Sequence, residues 1–453
     1  MYRTLNPATE ELVREYPEHS WDQARAAAEK AREAFRSWRE VPVDQRAAVA
    51  RRLAALLRSR LARYGALITL EMGKPIAQAE VEIDKCGRGC DYYATSARQA
   101  LEPQAVQTEA AKSYVRYDPL GVIFGIMPWN FPFWQVFRFA IPALMAGNVV
   151  LLKHAPNVPA CALEIESLFR EAGASEGVFQ SLFLTNDDAA KLIESGMVAG
   201  VSLTGSDRAG SAVASVAGKN LVKTVLELGG SDPFIVFEDA DLDATIPVAV
   251  KGRMLNTGQS CIAAKRFLVA EKIYPEFRDR ILAAVRALKV GDPTHPETDL
   301  GPLAREDLLK NLEKQVGEAK RQGAKVLLEG GRRTEKGFFY APTVLEEVRP
   351  GMSAFDQEVF GPVVSLIRFK TADEAVALAN MTSYGLGASL WTRDTAKAEA
   401  LARRIEAGNV FVNGMVKSDP RLPFGGIKRS GYGRELSVVG IHEFTNIKTV
   451  WIG

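Results

Sequence analysis

The stretch "NVVLLKHAPNVPACALEIESLFREAG", residues 148–173, joins two patterns whose order decides the fold. "NVVLLK" is a short β-branched and apolar run, the pattern of a buried strand, and "ACALEIESLFREAG" places apolar residues at three- and four-residue spacing, the pattern of a helix. Working outward, the alternation continues. Upstream, "SYVRYDPLGVIFGIMP" (113–128) alternates and then runs apolar, which predicts strands. Downstream, "VFQSLFL" (178–184), "VAGVSLTG" (198–205) and "KTVLELGG" (223–230) read as strands, with the helices "DDAAKLIESG" (187–196) and "SDRAGSAVASVAGK" (206–219) between them. This order predicts a parallel sheet with helices on its faces.

A second alternating region begins at "DPFIVFEDADL" (232–242) and runs to about residue 425, with strand patterns in "RFLVAEKI" (266–273), "VVSLIRF" (363–369) and "NVFVNG" (409–414). Residues 20–70 and "AQAEVEIDKCGRGCDYYATSARQAL" (77–101) read as helices, and the tail "TNIKTVWIG" (445–453) as one more strand. The expectation is an α/β protein of two packed α/β domains, with active chemistry where they meet.

The totals agree with that class. A chain of 453 residues is too long for one core. Hydrophobic residues at 47% and charged residues at 25% are globular values, and a net charge of +2 gives no reason to expect a nucleic-acid partner. The apolar stretch "FPFWQVFRFAIPALMAGNVVLL" (131–152) is interrupted by Gln135, Arg138, Pro142 and Asn148, so no membrane span is expected. The N-terminus lacks a signal-peptide pattern. Cys86, Cys90, Cys161 and Cys261 are too few for a disulfide framework, and four scattered histidines offer no zinc cluster, so no metal is expected. These features predict a cytoplasmic protein.

Candidate chemistry centres on "LNTGQSCIAAKRF" (255–267). Small residues and a glycine turn flank Cys261, as exposing a nucleophilic sulfur requires, although a lone cysteine is more often buried packing. Glu227 ends an apolar strand, where open α/β sheets put their sites, and partial burial would raise it toward a general base. The competing reading is a strand-end glutamate paired with a lysine. Asn130 in "MPWNFP" offers an amide to an oxyanion, while Asn before Pro132 also suits a helix N-cap.

Together, "MPWNFP", "LTGS", "LELGG", "NTGQSC", "EVFGPV" and "PFGGIKRSGYGRE" resemble the NAD(P)-dependent aldehyde dehydrogenases. The motifs stand in that superfamily's order from about residue 6 to the C-terminus, with Glu227 and Cys261 separated by 34 residues. The resemblance implies two Rossmann-like domains and a small β extension. Residues 1–100 and 119–229 would form the cofactor-binding domain, 230–430 the catalytic domain, and 101–118 with 443–453 the oligomerisation strands. It implies that Cys261 attacks the aldehyde, Asn130 holds the oxyanion and Glu227 activates water against the thioester.

It further implies NAD or NADP at Trp129, Lys153, Gly205, Ser206, Glu358 and Phe360, without a G-x-G-x-x-G loop. Pro156 stands where many NAD-specific relatives carry a glutamate against the ribose 2′-OH, so a 2′-phosphate would not be repelled. The hairpin near 101–118 is expected to pair with a partner's C-terminal strand in a homodimer or homotetramer.

"PWNFPFWQVFRFA", "KHAPN", "LELGGSDPFIV" and "GQSCIAAKRF" are most similar to the bacterial succinate semialdehyde dehydrogenases, which implies a substrate with a carboxylate, lined by Trp134, Arg138 and Ser418, with Arg421 a further candidate. Glutarate semialdehyde or a broader aldehyde range is the alternative. Asn130, Trp134 and Arg138 are spaced by four, so one helix face would turn Arg138 into the substrate tunnel. The competing reading for Arg138 is a salt bridge to an Asp or Glu. No second cysteine lies near Cys261, so a local disulfide switch is not expected.

Overall fold

The computed structural model describes all residues, 1–453. The opening stretch forms the strand Val149–His154 and the helix Pro159–Glu171. Every residue of that strand is buried, as an apolar run covered by helices on both faces requires. It belongs to a six-stranded sheet ordered Gly431–Tyr432, Lys223–Glu227, Gly200–Thr204, Val122–Met127, Val149–His154, Phe179–Ser181. All neighbours are parallel except Gly431–Tyr432, which returns antiparallel beside Lys223–Glu227. From Val122–Met127 the chain first builds outward through Val149–His154 and Phe179–Ser181, then crosses to the other side at Gly200–Thr204. The order therefore reverses between Val122–Met127 and Gly200–Thr204, and a crevice opens at the carboxyl ends of those two strands.

The second sheet has seven strands, ordered Lys325–Leu328, Thr343–Glu346, Val363–Phe369, Ala264–Ala270, Asp232–Val236, Gly387–Trp391, Asn409–Val412. Only its first pair is antiparallel. Glu227 ends a strand of the first sheet, and Asp232 begins a strand of the second five residues on. Cys261 likewise precedes the strand Ala264–Ala270. Carboxyl ends of one sheet thus meet amino ends of the other, and this junction positions the site.

Of the four N-terminal helices, Trp21–Trp38 packs on the first sheet directly, Val43–Ser59 and Ile76–Ala100 pack on the helix Trp134–Met145, and Leu61–Met72 packs on Ile76–Ala100 and Pro159–Glu171. The first opens with a capping box, Ser20 and Gln23 bonding each other's backbone N–H groups. The apolar stretch 131–152 contains the helix Trp134–Met145, all twelve residues of which are buried in the core. No helix is long and apolar enough to cross a membrane.

Two features differ from the sequence reading. Tyr2–Asn6 and Glu11–Tyr16 form a hairpin that the N-terminal sequence did not announce. The C-terminal strand Thr445–Ile452 pairs antiparallel with Lys112–Pro119 of its own chain, with Gln104–Ala105 alongside, so the expected pairing of this strand with a partner's hairpin is corrected to an intramolecular one.

Candidate active site

Cys261 is the one cysteine of four that is not buried, and the backbone before it explains why. After the helix Leu242–Met254 the chain turns sharply through Leu255–Gly258, with Asn256 and Thr257 both left-handed at φ 56°. A β-branched residue in that region costs about 1–3 kcal/mol and persists only where its surroundings hold it. Here they do. The Thr257 hydroxyl accepts from Gly301 N–H at 3.1 Å, Asn256 N–H donates to Gln78 Oε1 at 2.7 Å, and Asn256 Nδ2 donates to the Asn130 carbonyl at 2.7 Å. Gly258 (φ 73°) must be glycine as well, because a Cβ there would run into the Gly361 carbonyl. The Cys261 thiol is pushed up to about 11 by burial, with Arg138 and Lys265 drawing it back down, so the resting group is a protonated thiol.

Asn130 follows the strand Val122–Met127 and shares a cleft with Cys261. Its Oδ1 accepts from Gln135 Nε2 at 3.0 Å and its Nδ2 donates to the Gln259 carbonyl at 3.0 Å, which orients the amide and leaves its second N–H to give. It is not a helix cap. The helix begins at Trp134, and the cap is Glu82, whose Oε1 accepts from the N–H groups of Phe133 (2.9 Å) and Trp134 (3.0 Å). Glu82 is also ion-paired with buried Lys74, which donates to the Asn130 carbonyl at 2.9 Å and lies 3.8 Å over the Phe131 ring. Sequence reading missed both residues. The available sign was an acidic side chain within the stripe of Ala79, Ile83 and Cys86, which the core buries.

Glu227 is 2% exposed, and neither carboxyl oxygen accepts a hydrogen bond from the protein. Burial raises its pKa well above the usual carboxylate range; Arg138 opposes the rise and Glu435 adds to it. No lysine pairs with it. A Cβ on Gly425 would stand 2.6 Å from Glu227 Oε1, so a side chain there would press on the carboxyl.

Arg138 is placed otherwise than the helix-face argument predicted. Its side chain is 3% exposed and ion-paired with Glu435, its Nη2 donates to Thr204 Oγ1 at 3.2 Å, and its guanidinium stacks 4.8 Å over the Phe424 ring. The competing salt-bridge reading describes it, and a free guanidinium awaiting a substrate anion does not. The stacking of three residues on one face also fails at its first member, since Asn130 precedes the helix.

The cleft holding Cys261 and Asn130 has a volume of about 620 Å³ and is also lined by Trp129, Gly205, Ser206, Glu358 and Phe360. Trp129 and Phe360 meet edge to face at 5.9 Å. Glu358 Oε1 accepts from Gly230 N–H at 3.0 Å. Ser206 is the N-cap of the helix Asp207–Lys219, accepting from Ala209 N–H at 3.2 Å, so a positive helix end faces the cleft. Next to it, an apolar slot of about 300 Å³ lies between the helices Asn186–Glu194 and Asp207–Lys219, with Lys153 at its edge.

Lys153 is buried without an ion-pair partner, and burial pushes its pKa down to about 8. Pro156 is exposed and offers only its carbonyl, which accepts from Arg3 N–H. An apolar slot, an unpaired lysine, a helix N-terminus and an aromatic pair in sequence fit the adenine, ribose, phosphate and nicotinamide parts of a dinucleotide.

Beyond Asn130, Trp134 Nε1 donates to Ser418 Oγ at 2.9 Å, and Lys85 Nζ donates to the same oxygen at 2.7 Å while lying 4.3 Å over the Trp134 ring. Lys85 was not singled out in the sequence. Arg421 is exposed and doubly bonded to Asp419, at 2.8 and 2.7 Å.

The family model described as the aldehyde dehydrogenase family matches residues 1–450. A protein of Synechocystis sp. named probable succinate-semialdehyde dehydrogenase [NADP(+)] is 51% identical over 449 residues, 99% of each chain. Succinate-semialdehyde dehydrogenase [NADP(+)] 1 of Mycobacterium tuberculosis is 49% identical over 452 residues, again 99% of each. Among solved structures, succinic semialdehyde dehydrogenase from Streptococcus pyogenes in complex with NADP+ superposes with a TM-score of 0.97 at 36% identity, covering 100% of both chains.

Proposed function

The chain belongs to the aldehyde dehydrogenase family, and from that premise we propose that it oxidises succinate semialdehyde to succinate with NADP or NAD. The observation that carries the reading is the convergence of Cys261 and Asn130 on one cleft, with the buried, unpaired Glu227 directly before Leu228 and Gly229 of its lining. The two curated relatives at about half identity, both named for this substrate and for NADP(+), support the substrate and the cofactor. Lys153 forms no ion pair, Glu18 acting on it without contact, and Pro156 presents no carboxylate, which supports acceptance of a 2′-phosphate.

Cys261 gives its proton to solvent water and its sulfur attacks the aldehyde carbon, forming the C–S bond as the carbonyl π pair moves onto oxygen. The resulting oxyanion is held by the free Asn130 amide N–H and the Cys261 backbone N–H, the kind of donor worth ~2.7–4 kcal/mol in a transition state. The nicotinamide, when bound, supplies the hydride acceptor that takes the carbon to the thioester oxidation level. Glu227, in its deprotonated form, then takes a proton from water as that water attacks the thioester carbonyl, and passes the proton on to solvent. The C–S bond breaks, the acid leaves, and Cys261 is returned as thiolate.

In this reading residues 1–100 and 119–229 carry the cofactor and 230–430 the nucleophile. The small sheet, whose strand Thr445–Ile452 leaves Ile447 62% and Trp451 54% exposed, is the surface for a homodimer or homotetramer. A free, reactive Cys261 suits the reducing cytoplasm.

The test is a kinetic panel of succinate semialdehyde, glutarate semialdehyde, butanal and hexanal against both cofactors, followed by absorbance of the reduced cofactor. The expected result is a kcat/KM for succinate semialdehyde about 100-fold above butanal, the value of one charge-assisted contact. Silence with both cofactors would sink the enzyme reading, and equal rates on all four would sink the substrate.

The pH profile follows from the same groups. Cys261 (about 11) and Glu227 are both raised, and both act deprotonated. Below its pKa the working fraction of such a group rises up to tenfold per pH unit. Activity should therefore climb steadily on the alkaline side of about pH 7. A kcat/KM flat from about pH 6 to 9 would contradict that ionisation state.

A further inference from the structure

Three cations neighbour Trp134 and Ser418, Arg138 and Arg421 along the chain and Lys85 by direct contact. Arg138 is neutralised by Glu435, and Arg421 is held by Asp419 on the surface. Lys85 alone has no carboxylate partner. Its ammonium touches only the Ser418 hydroxyl and the Trp134 ring, and the residue as a whole is half-buried. Glu82, an acid whose charge bears on it, is already committed to Lys74 and to two backbone N–H groups. Ser418 accepts from both Trp134 and Lys85, which leaves its own hydrogen to donate. A cation and a hydroxyl donor thus converge over an aromatic floor with no acceptor of negative charge.

We propose, on the reading given under Proposed function, that Lys85 is the residue that selects the carboxylated aldehyde, binding the distal carboxylate together with Ser418. Position supports the assignment. Glu82 fixes the backbone just after Asn130, and Lys85 lies three residues further along the same helix, ~4.5 Å of rise. That offset matches the few carbons separating the aldehyde from the carboxylate in a short semialdehyde. Burial, with the positive Arg138 nearby, pushes the Lys85 pKa down to about 7, so a bound anion is also what restores its charge.

The experiment compares succinate semialdehyde with butanal, an aldehyde of the same carbon count lacking the carboxylate, in the wild type, Lys85→Met and Lys85→Arg. The wild type should prefer the semialdehyde. In Lys85→Met that preference should fall about 100-fold, with the loss in KM rather than kcat, and Lys85→Arg should keep most of it. A wild type without preference overturns the substrate reading and this inference with it. A wild-type preference that survives Lys85→Met overturns the inference alone, as does an equal loss on both aldehydes, which marks a structural role. Should Lys85→Met fail to fold, Lys85→Gln carries the same comparison.

Discussion

Cys261→Ala should lower kcat by at least about 10⁴-fold while leaving cofactor affinity and thermal stability near wild type, because removing a covalent nucleophile leaves only binding and oxyanion stabilisation. Structure is spared because the residue is only partly enclosed, and the turn that presents it is held by Asn256, Thr257 and Gly258 rather than by the sulfur. The three buried cysteines give the control. Cys90→Ala removes a sulfur fully enclosed in the core and should cost stability without stopping turnover. Steady-state rates and melting temperatures of the two variants decide the matter. An active Cys261→Ala would remove the acyl-enzyme mechanism altogether.

Glu227→Gln should separate the two halves of the reaction. Its carboxyl lies in a buried, unpaired site that raises its pKa, so an isosteric amide keeps the volume, breaks no hydrogen bond and should fold normally. Attack by the cysteine and oxidation should proceed once per site, giving a burst of about one equivalent of reduced cofactor. Turnover should then slow about 10²- to 10⁴-fold, the usual worth of a general base. Rapid mixing with excess succinate semialdehyde reads both phases. A variant with no burst would move Glu227 from hydrolysing the thioester to activating the cysteine.

The sheet strands were legible because their pattern is local. "NVVLLK" and "VAGVSLTG" carry their burial in their own composition, and each became a fully buried strand. The left-handed turn before Cys261 was half legible: Gly258 marked it, but Asn256 and Thr257 take φ 56° only because Gln78 and Gly301 hold them. Arg138 was misread for the same reason. Its helix face follows from spacing, yet its partner Glu435 comes from a segment far downstream that no periodicity links to it. Lys74, Glu82 and Lys85 escaped notice because a buried ion pair and an unpaired lysine on a long helix look like any solvated face until the packing is known. Asn130 could be read as cap or donor from sequence, and only the position of Glu82 separates the two.

The turn that presents Cys261 has a bearing on how the protein acquires its reactivity. Its stays come from both directions along the chain: Gln78 well upstream, Gly301 and Gly361 well downstream. During synthesis the cysteine leaves the ribosome before two of the three exist. A nascent chain therefore carries an ordinary thiol, and the displayed nucleophile arises only when the second sheet closes on the first. Reactivity in this protein is a late property of the finished fold.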